Sequence, residues 1–63
     1  MWQEIKSDKN CLAASIMGAN YRIYHGRANE FSIYAYMGRE WVYLSSHHSL
    51  QLARSFAERH AWK

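Results

Sequence analysis

The sequence predicts an α+β fold, an antiparallel sheet of three to four strands packed on one C-terminal amphipathic helix. Three observations predict it. Short runs rich in Tyr, Ile, Phe, Trp and Val are separated by glycine-bearing turns, the pattern of hairpin-linked strands. The last fifteen residues change to a helical period, with apolar side chains on one side only. The chain is 63 residues long, enough for one domain, residues 1–63, and one core.

The elements follow in order. Residues 1–10 are polar apart from Trp2 and Ile5. Lys6 to Asn10 reads as a loop, and Trp2 and Ile5 are expected to fold back onto the domain. Residues 11–17 alternate at Leu12, Ala14 and Ile16, which suits a strand, while the alanines also suit a helical turn. The strand reading is favoured because Gly18-Ala19-Asn20 follows as a tight turn. Strands are then expected at about 21–25, 31–37 and 40–45. His25 to Glu30 forms one turn and Gly38-Arg39 another, glycine supplying the positive φ that such a turn needs. Ser49 is a good N-cap for a helix over about 49–61. On a helical wheel Leu50, Ala53, Phe56, Ala57, His60 and Ala61 share one side, opposite Gln51, Arg54, Ser55 and Glu58.

Alternation divides the strands into two faces. Tyr21, Ile23, Phe31, Ile33, Ala35, Met37, Val42 and Leu44 form the set expected under the helix. The other set is Arg22, Tyr24, Ser32, Tyr34, Tyr36, Trp41 and Tyr43. One helix covers one face, so this second set is expected to meet water, a partner or the N-terminal segment. Arg22, Tyr24, Tyr34, Tyr36, Trp41 and Tyr43, with Arg27 and Arg39 in flanking turns, are the candidate binding residues. Tyr and Trp combine apolar area with a polar tip, bases stack on such rings, and arginines neutralise phosphates. The alternative is plain cross-strand packing. A helix over residues 1–17 lying on this face would also remove the platform.

Composition bounds the partners. The formal charge is +3, which permits nucleic acid and argues against an acidic mimic of DNA. No stretch of apolar residues is long enough for a membrane span, and the first residues lack the pattern of a secretory leader. The single cysteine, Cys11, allows no intramolecular disulfide and points to a reducing compartment. The four histidines show no metal-ligand spacing, and no metal or other cofactor is expected. His25, Arg27 and Glu30 share a turn, as an acid, base and phosphate clamp would. Any polar turn offers such residues, so the chain is read as a non-enzyme.

From Tyr21-Arg22-Ile23, through Gly38-Arg39-Glu40-Trp41-Val42, to the helix opened by Ser49-Leu50 and carrying Ala53-Arg54 and Ala57-Glu58-Arg59-His60, the cadence resembles short phage and prophage proteins. In outline it is similar to the three-strand-plus-helix domains of plant AP2 factors and of phage-integrase arm-binding domains, and antitoxins of the HicB type share the rhythm. The AP2 and integrase domains lay the sheet in the DNA major groove. Such sheets are richer in arginine and tryptophan on the DNA face, whereas here tyrosine dominates, which weakens the reading of duplex DNA and leaves single strands, RNA or a protein surface open. The resemblance implies a non-catalytic phage or mobile-element protein in the cytoplasm of a bacterial host, engaging nucleic acid or a nucleoprotein complex. The alternative it implies is an inhibitor of a bacterial defence system, anti-CRISPR-like, binding a host protein directly. A homodimer through the aromatic face is a third expectation.

Overall fold

Two-residue turns set the topology. In the computed structural model, Met17 and Gly18 both take left-handed φ values (52° and 83°), and so do Gly38 and Arg39 (58° and 73°). Two successive left-handed residues match the twist of the flanking strands and close a tight hairpin. The structure describes residues 2–5 and 8–62, with the side chains of Ile5, Asp8 and Lys9 left aside.

The strands are β1 (Gln3–Ile5), β2 (Asp8–Ile16), β3 (Ala19–His25), β4 (Phe31–Met37) and β5 (Glu40–His47), followed by the helix α1 (Leu50–Ala61). They form one antiparallel sheet in the order β1-β2-β3-β4-β5, each strand beside its sequence neighbour. A short helical turn, Arg27–Asn29, joins β3 to β4. The expected α+β class holds, but the sheet has five strands rather than three to four. The additions come from the N-terminus: β2 begins at Asp8, within the stretch read as loop, and β1 pairs along it. Lys6 and Ser7, part of that expected loop, lie outside the described residues, as does the Ile5 side chain. The first hairpin turn falls on Met17-Gly18, so Ala19 and Asn20 open β3 instead of forming the turn.

The sheet is covered on one side. Tyr21, Ile23, Ile33 and Ala35 are at most 2% exposed and pack against Ala53 and Ala57 of α1, both fully buried. The two alanines stand four apart on one helix face and let α1 approach the sheet closely. Trp2, Ile16, Phe31, Leu44, Leu50, Phe56 and Ala61 close the margins of this core. Met37, expected under the helix, is 42% exposed at the end of β4. Ser49 sits at the N-cap as expected, although its side chain makes no capping hydrogen bond.

One irregularity changes the pattern of faces. The β4–β5 register runs Ile33 with Ser45 and then Tyr34 with Tyr43, so Leu44 is an extra residue in β5. Such a bulge shifts the alternation by one. Leu44, Ser45 and His47 therefore belong to the helix side, while Tyr43 and Ser46 both belong to the other. No described helix is long and apolar enough to cross a membrane.

Candidate nucleic-acid interface

The face opposite α1 is built row by row from strand register. Residues directly opposite in paired strands project to the same side. Gln3 opposes Ala13, Ala13 opposes Arg22, Arg22 opposes Tyr34, and Tyr34 opposes Tyr43. This single row crosses all five strands, from polar and small side chains at β1 and β2 to rings at β4 and β5. A second row pairs Tyr36 with Trp41, and a third runs Cys11, Tyr24, Ser32, Ser46.

The rings touch one another. Tyr24 meets Tyr34 edge to face, with centroids 5.4 Å apart, and Tyr34 meets Tyr43 at 5.6 Å. Tyr36 meets Trp41 at 5.2 Å. Arg22 joins these pairs: its guanidinium carbon lies 4.4 Å from the Trp41 ring centroid, a cation–π contact, and its Nη1 donates to the Tyr24 hydroxyl at 3.4 Å. Ser46 closes the edge of the patch, its Oγ lying 2.7 Å from the Tyr43 hydroxyl and 3.1 Å from Ser32 Oγ. The result is a continuous aromatic layer that holds its own geometry yet stays open to solvent. Tyr36, Trp41 and Tyr43 are 45%, 37% and 54% exposed.

No described element lies over this layer. The described part of the N-terminal segment extends the sheet sideways as β1 and β2, and Cys11 of β2, in the row of Tyr24, is 1% exposed. Trp2 packs with the helix-side core, not across the rings.

Six of the eight expected binding residues come together here: Arg22, Tyr24, Tyr34, Tyr36, Trp41 and Tyr43. Arg27 and Arg39 do not join them. Arg27 lies in the β3–β4 connection and Arg39 in the β4–β5 turn, at opposite ends of the sheet, both exposed. Arg22 is the charged side chain set among the rings of this face. Glu30 and Glu40 sit at strand ends, and Glu58 is on α1.

Sequence reasoning missed the other half of the face. Beside the rings lies an open hollow of about 550 Å³, lined by Gln3, Ala13, Ser15, Asn20, Arg22 and Trp41, among others. It exists because β2 presents Ala13 and Ser15 where β3 to β5 present rings. A signal was available in the alternation of residues 11–16, but the position of Gln3 needed the β1–β2 register.

Three of the four histidines, His25, His47 and His60, are used in packing on the covered side or at its margin. His25 stacks on Phe31 with centroids 4.4 Å apart, and His47 lies 5.2 Å from Phe56. His60 Nδ1 and the Tyr21 hydroxyl share a hydrogen bond of 3.0 Å. Burial pushes the Tyr21 phenol pKa up from its usual value of 10.0. No family model matches this chain, and no curated protein or solved structure matches it either.

Proposed function

We propose that the chain is a non-catalytic binding module whose open sheet face engages single-stranded nucleic acid. The observation that carries the reading is the uncovered ring layer of Tyr24, Tyr34, Tyr36, Trp41 and Tyr43 joined through Arg22. Rings that are exposed and already held in place offer stacking surface at little ordering cost. Arg22, set among the rings, supplies a positive charge for the phosphate backbone. Single strands are favoured over duplex because base edges in a groove are read by long hydrogen-bonding side chains, and this face has one such cation among its rings.

The test is fluorescence anisotropy with a labelled single-stranded RNA, the matching DNA, and a duplex of the same sequence, at low and high salt. Single strands are expected to bind more tightly than duplex, and to weaken as salt rises. Trp41→Ala is expected to reduce single-strand affinity by roughly 5- to 150-fold, the equivalent of about 1–3 kcal/mol for one lost stacking partner. If no nucleic acid binds at low salt, the reading fails, and the same rings stand as a hot spot for a protein.

A further inference from the structure

Resting on that reading, we infer that the hollow beside the rings is a subsite for one unpaired guanine of the bound strand. The hollow's volume of about 550 Å³ falls within the range of small-ligand sites, roughly 300–1,000 Å³. Its lining sets polar groups, Gln3, Ser15, Asn20 and Arg22, beside apolar and aromatic ones that include Ala14, Tyr21 and Trp41. Ala13 and Ser15 leave the floor low. Gln3 and Asn20 bring side-chain amides, each with a donor and an acceptor group. Both residues are exposed. Arg22 stands between the hollow and the rings, its guanidinium over the Trp41 indole.

This arrangement favours guanine. With Nη1 donating to the Tyr24 hydroxyl, the Nε–Nη2 edge of the Arg22 guanidinium remains as a pair of donors that matches two neighbouring acceptors. Guanine presents such a pair at O6 and N7. Its ring N–H and exocyclic amine then need acceptors, which the amide oxygens of Gln3 or Asn20 supply. A base entering here also lies next to Trp41, so the strand passes from a hydrogen-bonded position into the stacking layer without a gap. Duplex DNA has no base free to enter.

The experiment uses a uridine tract with one central G, A or C, prepared as RNA, the thymidine version as DNA, and guanosine monophosphate as the free nucleotide. The G-containing strands are expected to bind roughly tenfold more tightly than the others, the discrimination of one good bidentate contact, and guanosine monophosphate far more weakly than either strand. Ala13→Leu, which fills the hollow from its floor, is expected to abolish the preference while the unsubstituted tract still binds. The Gln3→Ala, Asn20→Ala double variant, which removes no core contact, is expected to do the same. Equal binding of all strands, a preference for another base, or a G preference that survives both variants overturns the guanine subsite and leaves the stacking face standing. Guanosine monophosphate binding as tightly as the strands also overturns it, since the hollow would then be a mononucleotide site. Failure of every strand to bind overturns the proposed function itself.

Discussion

The same three strands, β3 to β5, make two surfaces of opposite character, and the difference lies in what covers them. On the helix side Tyr21, Ile23, Ile33 and Ala35 are at most 2% exposed under Ala53 and Ala57. On the other side, residues one position along the same strands leave Tyr36, Trp41 and Tyr43 between 37% and 54% exposed. The covered side follows from volume: small residues on α1 meet branched ones on the sheet, and water is excluded. The open side is ordered without a cover, by ring-to-ring contacts and the Arg22 cation. A sheet face can therefore be structured and still available, and availability is what a binding surface needs.

The largest expected effect tests the covered side. Ile33 is fully buried at the centre of the sheet, and Ile33→Ala is expected to cost about 2–5 kcal/mol through lost contacts and a cavity. A domain this small has little stability in reserve, so the variant should unfold at markedly lower urea concentration. Trp41→Ala is the matched substitution on the open side. It removes one aromatic contact and one exposed cation–π contact, together about 1–2 kcal/mol, and the fold should survive. If Trp41→Ala destabilises as much as Ile33→Ala in urea melts, the open face is a second core and the comparison breaks.

Tyr21 tests the boundary between a ring's apolar body and its polar tip. Its ring is 2% exposed, and its hydroxyl bonds His60 at 3.0 Å. Tyr21→Phe keeps the packing and loses the hydrogen bond, an expected cost of about 0.5–1.5 kcal/mol. The phenol also links stability to pH. Its folded pKa is raised above the unfolded value of 10.0, so the folded chain holds the proton more tightly. The linked stabilisation is complete below pH 10 and is lost as pH climbs through the folded pKa. Urea melts of wild type and Tyr21→Phe are expected to differ by a constant amount below pH 10 and by a shrinking amount as pH rises from there through the folded pKa. A difference that stays constant into strongly alkaline solution would mean that the hydroxyl is not desolvated.

How far these surfaces could be read from the sequence depended on period. Ile23, Ile33, Ala35, Ala53 and Ala57 were assigned to the core correctly because strand and helix periods are strong over 21–44 and 50–61. The ring layer was legible for the same reason. The first strands were not, since Asp8, Lys9 and Asn10 are polar and carry no strand period, and Asp8 is paired with Ile5 of β1. The bulge at Leu44 was invisible because one extra residue leaves no mark on composition, yet it places Ser46 beside Tyr43 and Ser32. The hollow is a property of register: Gln3, Ala13 and Arg22 are far apart in sequence and become neighbours only once β1, β2 and β3 pair.

The smallest expected effect concerns a residue that belongs to neither face. Met17 is 69% exposed at the first hairpin turn and holds a φ of 52°, a conformation that costs an L-residue with a long side chain about 1–2 kcal/mol. Asparagine tolerates it because its short polar side chain bonds locally to the backbone. Met17→Asn gives up almost no buried area, so a gain of about 0.5–1 kcal/mol is expected, read as a higher urea midpoint with unchanged slope. Single-strand affinity should stay the same, because Met17 stands beyond the ring layer and outside the hollow. A variant that folds more stably but binds less well would place this exposed methionine within the bound surface, and would extend the interface from the open face around the end of the sheet.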